Sequence, residues 1–551
     1  MPSLESSKKD LEFLAKKKFA GKEELEEALE FAKCELDAIE GDKLTIGVSD
    51  TNRPDLLSTE GIAREIRSHY TKDIGVPKYK IKKSNVSLIV DKSVAGIRPC
   101  IAAAIVKKVK VTEEFLVQMI QLQEKVCLTF GRKRKEAAIG LYDWKKLKAP
   151  IHYKAFKPRE KKFIPLEYKV EMDLEEILLE HPKGKEYANL LQGFEKYPIL
   201  MDSKGTVASM PPIINSQLTG KVSEETKELF VEVTGYQQET VNTALNVMVS
   251  ALAERGFEVF SVKVKYPGKT ILTPDFGAKK ILVKLESIKK LSGLDLKPKQ
   301  IIELLRKARY DARQKKKAFE CEYPAYRQDI LHEVDAIEDI IISAGYNKIV
   351  PVKIELPCTG EESSEAKLIE KTKEICIGLG LQEVLTFTMT SREKQEKKLS
   401  MKEQDFVEIA NPVSKNFEIF RKSILPELLE FLGKNKHCIY PQKIFEAGKC
   451  FCIEESRETK VREPIKLCIV TSGKDAEFTA IKSVLDAVCK NLGKEYSLQE
   501  SLLPFLEKGK QGEISIGNSK GFLGEINKKT LSEFGLEMPC SCIEIEISEK
   551  I

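Results

Sequence analysis

The sequence predicts an α+β protein built from several domains, and three observations lead there. At 551 residues the chain is too long to close around one hydrophobic core, so three or four domains are expected. Through its middle, short β-branched runs alternate with segments of helical period. From residue 353 onward, strand-like runs follow one another mostly through hairpins, the pattern of a largely antiparallel sheet packed with helices. A hydrophobic content of 42% with 32% charged residues places the chain among globular proteins. Its 91 basic and 85 acidic residues leave a net charge of +6, compatible with a nucleic-acid partner without demanding one.

Residues 1–84 read as a small α/β domain. "KEELEEALEFAKCEL" and "TEGIAREIRSHY" have helical period, "DKLTIGVS" suits a strand, and "DTNRPDL" is a turn expected to present Arg53 at its tip. Residues 85–275 alternate strands ("VSLIV", "CIAAAIVKKVKV", "LFVEVTG", "FEVFSVKVKYPG") with two long helices. The second helix sets Val241, Ala244, Leu245, Met248 and Leu252 on one stripe and stops at Gly256. Residues 276–352 give a helix, a basic stretch ("ARQKKK") and an acidic helix. The run "IVPVKIELPCTGEESSEA" then reads as a linker. In residues 353–551 the strands expected are "EVLTFTMTS", "DFVEIAN", "KIFEAGKCFCIE" and "IKLCIVTSG", with helices between them and a strand–hairpin–helix tail.

The thirteen cysteines form no CxxC pair. The pairs Cys450/Cys452 and Cys540/Cys542 fall in strand-like runs, where alternate side chains share a face, so they are expected as buried thiols in a reducing compartment, with metal ligation as the alternative. The N-terminus alternates charged and apolar residues unlike a signal peptide, and no apolar stretch is long enough to span a bilayer. A cytoplasmic protein without membrane contact is expected.

Several chemistries are excluded. "YPGKT" ends like a phosphate-binding loop, but Lys263 stands at the required upstream glycine. There is no GxSxG, no GxGxxG after a strand, and no HExxH or paired spacing among His69, His152, His181, His332 and His437. Three polar constellations remain. Arg132, Lys133, Arg134 and Lys135 stand in a row before a strand, either as a solvated loop or as a contact for phosphates. "VASMPPIINSQLTG" is a proline-stiffened bend that presents Ser209, Asn215 and Ser216. Glu232 and Thr234 share a strand face that is either an exposed sheet surface or the wall of a polar pocket.

The acidic helix poses a separate question. Asp335, Glu338 and Asp339 lie at i, i+3 and i+4, and Asp329 stands just before them. Like charges on one helix face repel by a few tenths of a kcal/mol per pair, roughly, so either water or a cation must compensate them.

Taken together, seven strings resemble the β subunit of phenylalanyl-tRNA synthetase in its archaeal and eukaryotic-cytosolic form. They occupy 50–66 ("DTNRPDLLSTEGIAREI"), 132–144, 209–216 ("SMPPIINS"), 233–256, 326–351, 411–429 and 444–451. The resemblance implies an N-terminal α/β domain (1–84), an editing domain (85–275), a small winged-helix-like module (276–352) and an inactive class II synthetase-like domain (353–551). It implies that an α chain holds ATP and phenylalanine and makes the aminoacyl bond, in an α2β2 enzyme that acts on tRNA(Phe). "FRKSILPE" is only a faint echo of the arginine–glutamate motif that would hold ATP.

The resemblance also assigns sites. Leu200, Ser209, Glu232 and Thr234 match the editing-pocket positions, where tyrosyl-tRNA(Phe) is hydrolysed by a water placed by hydroxyls and by the tRNA's terminal hydroxyl. Asp329, Asp335, Glu338 and Asp339 match positions assigned to Mg2+, which prefers hard oxygen ligands; a solvated or intersubunit ion-pair face is the alternative. The editing step has a physical need, because an apolar pocket shaped for phenylalanine discriminates poorly against an added hydroxyl. Some relatives carry aspartate where Glu232 stands, and Tyr236-Gln237 replaces the threonine and acidic residue expected there. The alternative function is a non-editing RNA-binding or assembly scaffold of the synthetase.

Overall fold

Alternation along the strand Glu228–Gly235 organises the region around the candidate site. Leu229, Val231 and Val233 face one way, while Phe230, Glu232 and Thr234 face the other. The computed structural model describes residues 2–355 and 359–547; of the expected linker, residues 356–358 lie outside the described part. The chain divides into two units, Met1–Val352 and Lys353–Ile551, in a mixed α/β fold with several sheets.

In the first unit, Glu228–Gly235 pairs antiparallel with Cys100–Lys107 on one side and Ala137–Asp143 on the other, within an eleven-stranded sheet. Its aliphatic face packs on helix Gln238–Glu254, whose Val241, Ala244, Leu245, Met248 and Leu252 are buried as their spacing predicts. Gly256 ends the turn beyond that helix at φ 83°, the left-handed conformation that favours glycine. The opposite face meets a second core that contains Ile101, Ala103, Tyr142, Ile199 and Leu200.

The N-terminal region is a three-stranded antiparallel sheet, with Lys43–Val48 between Ser3–Ser7 and Cys34–Glu40. Arg53 is not presented to solvent as the turn reading expected. It is 3% exposed, and Asp55 holds it through Nε–Oδ1 (2.9 Å) and Nη2–Oδ2 (2.8 Å). A guanidinium can be buried only when paired, and the short turn Pro54–Leu56 folds the carboxylate back onto it. Residues 276–352 contain three helices and a three-stranded sheet, in which the basic stretch forms the hairpin strands Asp311–Lys315 and Ala318–Tyr323.

The second unit carries a seven-stranded sheet that is parallel only between Gln382–Glu383 and Gln442–Lys449 and antiparallel elsewhere. Helices Ser364–Gly378 and Phe478–Leu492 cover one face and Leu425–Lys434 the other. Two expected strands shrink. "EVLTFTMTS" keeps only Glu383, the end of the strand Gln382–Glu383, and Met389–Thr390, and "DFVEIAN" only a bridge between Glu408 and Ile419. Between them Leu385 (80% exposed) and Phe387 (72% exposed) have the strand pattern but no partner strand among the described residues. Cys450, Cys540 and Cys542 are buried thiols, while Cys452 is half-buried at the start of the short strand Cys452–Ile453. Among the described residues no helix is long and apolar enough to cross a membrane.

Candidate functional site

A cavity of about 410 Å³ opens between the helix Glu113–Leu128, the edge strand Ala137–Asp143 and the proline bend 209–215. Its walls are mostly apolar (Leu116, Met119, Ile139, Ile213), with Glu232, Ser209 and Asn215 as convergent polar groups. The bend places Ser209 opposite Asn215 in a short antiparallel pairing, and Leu200 is the neighbour of Ser209 on the next strand.

Tyr142 ties these groups together. Its phenol lies 2.8 Å from Ser209 Oγ, 2.9 Å from Glu232 Oε1 and 3.3 Å from Asn215 Oδ1. One O–H can donate to only one acceptor at a time, so Ser209 can supply the second hydrogen of the network. Burial and the neighbouring Glu232 push the Tyr142 phenol well above its ordinary range, so it remains a donor at neutral pH. Gly140 makes this contact possible. It sits opposite Glu232, and a Cβ there would stand 2.2 Å from the Tyr142 oxygen and 2.4 Å from Glu232 Oε1.

Glu232 is 2% exposed, and its Oε2 has no hydrogen-bond partner. Burial raises its carboxyl to about 7, against the opposing pull of the Tyr142 hydrogen bond and the Arg98 charge. A buried acceptor without a donor costs about 1–3 kcal/mol, more when charged, so the site gains from any ligand that brings a hydroxyl to Oε2.

Two of the four expected pocket residues lie behind this wall. Leu200 is fully buried in the core. Thr234 Oγ accepts from Arg98 Nε at 2.9 Å, and its carbonyl accepts from the same guanidinium at 2.6 Å. Arg98 continues to the carbonyls of Lys135 (2.8 Å) and Arg134 (3.0 Å), joining the strand of Glu232 to the basic turn. Tyr142, Gly140 and Arg98 did not emerge as site residues from sequence reasoning, and Asn215 emerged only as part of the proline bend. The available signal was "AAIGLYD", where Gly140 and Tyr142 share a face in an otherwise small or aliphatic strand.

The basic turn has an unusual backbone. Arg132, Lys133 and Arg134 have φ of 48°, 54° and 66°, a left-handed run without glycine. Such residues cost about 1–2 kcal/mol each. Their amides close the end of Glu113–Leu128 by donating to the carbonyls of Thr129, Leu128 and Cys127. A cation at a helix C-terminus returns only about 0.3–1 kcal/mol, less than the conformational cost.

Two reactive side chains of the cavity wall, Cys127 and His181, are already engaged. Cys127 accepts from the Ile139 amide, and burial pushes its thiol up, away from thiolate. His181 accepts from the Lys183 amide at Nδ1 (3.1 Å) and has Nε2 3.3 Å from the Leu166 carbonyl. Both of its ring nitrogens are engaged.

The acidic helix Glu333–Ala344 is compensated from within the chain. Asp329 and Asp339 both accept from Arg327, Asp339 Oδ2 also from Tyr310 (2.7 Å), and Asp335 caps its own helix through the amides of Leu331 and His332. Lys33 Nζ lies 2.9 Å from Asp50, 3.1 Å from Glu338 and 3.7 Å from Asp339. The four carboxylates therefore do not converge on one point, and among the described residues no three His, Cys, Asp or Glu form a metal-ligand group. This donor set does not fit Mg2+ in the arrangement observed. In the second unit, Arg421 is 1% exposed and held by Glu446 (2.7 Å), Thr386 (2.7 Å) and the Lys449 carbonyl, so it has no face free for a nucleotide.

Comparison with known proteins matches the chain along its length. Family profiles described as the B3/4 domain, the tRNA synthetase B5 domain and the phenylalanyl tRNA synthetase beta chain CLM domain cover residues 106–264, 281–346 and 351–547. The phenylalanine–tRNA ligase beta subunit of Pyrococcus horikoshii is 46% identical over 550 residues, 99% of each chain. That of Thermococcus sibiricus is 45% identical over 550 residues, 99% of this chain and 98% of the relative. A crystal structure of an N-terminal fragment of the P. horikoshii beta subunit is 49% identical, with a TM-score of 0.61 over 63% of this chain and 100% of the fragment. The chain belongs to the beta-subunit family of phenylalanine–tRNA ligase.

Proposed function

We propose that this chain is the editing and assembly subunit of a phenylalanine–tRNA ligase, and that the cavity beside Glu232 hydrolyses tyrosyl-tRNA(Phe). The observation that carries this reading is the unpartnered Oε2 of Glu232 on the wall of a cavity large enough for an amino acid. A tyrosyl side chain brings a donor to that oxygen. A phenylalanyl side chain fills the same volume and leaves the carboxyl buried and unpaired. Sites built to bond a substrate hydroxyl reject the analogue without it by about 10⁴–10⁵. Ester cleavage then falls to a water held by the Ser209 hydroxyl: its oxygen attacks the ester carbonyl, the acyl C–O bond to the terminal ribose breaks, and its proton is relayed through the vicinal hydroxyl to the leaving ribose oxygen, giving free tyrosine and uncharged tRNA.

Aminoacylation itself is assigned to an α partner that supplies ATP and phenylalanine binding, in an α2β2 assembly in the cytoplasm. The buried, fully engaged Arg421 supports a second unit that does not bind ATP. The exposed Leu385, Phe387, Met389 and Phe417 give that unit an apolar surface suited to a partner. Mg2+ is not given a role on this chain, because Lys33 and Arg327 already engage Asp329, Glu338 and Asp339, and Asp335 caps its own helix.

The test is hydrolysis of tyrosyl-tRNA(Phe) by this chain with its α partner, beside phenylalanyl-tRNA(Phe) and a Glu232→Ala variant. Selective loss of the tyrosyl ester, with discrimination collapsing in the variant, is expected. An assembled complex that charges phenylalanine yet hydrolyses neither ester would leave the scaffold reading in its place.

A further inference from the structure

We infer that the basic turn Arg132–Lys135, left-handed through Arg134, is the phosphate grip that holds the terminal nucleotides of the aminoacyl-tRNA at the cavity. The inference rests on the editing reading for the identity of the ligand, but its geometry is independent of Glu232. Three observations converge. First, Arg132, Lys133 and Lys135 are exposed, and none of the four cations forms an ion pair among the described residues. By contrast, Lys107 and Lys108 in the same domain pair with Glu228 and Glu258. Second, the turn adjoins the cavity. Arg134 lines it, donates to the carbonyls of Pro212 (3.2 Å) and Ile213 (2.7 Å) in the proline bend, and stacks 4.3 Å from the Tyr187 ring. Third, the left-handed backbone is kept with basic residues where glycine or asparagine would adopt it with less strain.

The buried Arg98 explains how the grip is held in register. Its guanidinium bonds Thr234 on the strand of Glu232 and the carbonyls of Arg134 and Lys135, so the cations keep a fixed distance from the carboxyl that reads the amino acid. An esterified ribose entering the cavity brings its 5′-phosphodiester to the mouth. A row of uncompensated cations there meets the phosphates of a single strand.

The test uses the full chain with its α partner and a variant Arg132→Asn, Lys133→Asn, Lys135→Gln. Asparagine tolerates the left-handed conformation, so the turn is kept while the charge is removed. Two substrates are compared, tyrosyl-tRNA(Phe) and tyrosyl adenosine, which carries the ester without a phosphate. The expected result is a fall of about tenfold or more in the ratio of kcat/KM on tRNA to kcat/KM on the adenosine ester. The dependence of log kcat/KM on log salt should flatten by roughly 0.7 for each phosphate the variant no longer neutralises. An unchanged ratio and salt slope would show the turn to be a solvated loop. Equal decreases on both substrates would make it a support of the cavity wall instead.

Binding of uncharged tRNA(Phe) to the two forms, read across salt, tests the grip even if no ester is cleaved. A shallower slope in the variant together with a wild type that fails to hydrolyse would retain the grip and discard the editing reading. Identical slopes would discard the grip itself.

Discussion

Glu232→Gln should make the protein more stable above neutral pH while it impairs selection between esters. The substitution keeps the shape of the side chain and an acceptor for Tyr142 but removes the charge. The wild-type carboxyl is raised from an ordinary 4.5 to about 7, chiefly by burial. A group whose folded value lies above its unfolded value favours folding fully below the unfolded value and loses that contribution as pH rises through the folded one. The wild type should therefore lose about 3 kcal/mol of stability between pH 4.5 and 8 through this residue alone. Glutamine does not titrate, so the variant escapes this loss. Its amide adds a buried donor, however, which costs about 1–3 kcal/mol if left unpaired. The net expectation is a variant about 1–2 kcal/mol more stable than wild type at pH 8, and no more stable than wild type at pH 4.5–5. Denaturant unfolding of both proteins at the two pH values measures it. A difference that does not change with pH, or that runs the other way, would show that Glu232 is a settled carboxylate whose unpaired oxygen has no need of a substrate hydroxyl.

Two further substitutions test the surroundings. Gly140→Ala should drive a methyl group into the Tyr142–Glu232 contact, costing about 1–3 kcal/mol by overpacking. It should also erase tyrosyl over phenylalanyl preference in the deacylation assay; retained preference would mean the contact is not needed. Asp329 is pulled both ways: burial raises its carboxyl, but Arg327 and Arg53 outweigh it and hold it at about 2. That stabilisation is present above its unfolded value near 4 and is lost as pH falls through 2, on the order of 2 kcal/mol. Asp329→Asn should cost about 3–5 kcal/mol at pH 7, because two buried guanidinium groups lose a counter-charge. Unfolding curves at pH 7 that match wild type would contradict the buried ion network.

The site was partly legible in the sequence. Glu232 and Thr234 were marked by their shared strand face, and Ser209 by the proline bend, because period-two alternation and proline stiffness are local properties. That Thr234 turns to Arg98 while Glu232 meets the cavity depends on residues 136 positions away in the chain. Tyr142 was hidden for the same reason: its partners stand 67 and 90 residues away, and no local pattern announces them.

The acidic helix shows the boundary most clearly. Spacing alone established that Asp335, Glu338 and Asp339 share a face and need a cation or water. Which cation was decided by folding, because Lys33 arrives from the N-terminal region, some 300 residues earlier, at a left-handed φ of 55°. Likewise "DTNRPDL" determined a turn, but only tertiary packing decided whether Arg53 met solvent or Asp55. The sequence by itself determined the family, the periodic elements and the residue types available for chemistry, since these follow from local order. Burial, charge pairing and the free oxygen of Glu232 belong to the tertiary structure, because desolvation is a property of everything that surrounds a group in space.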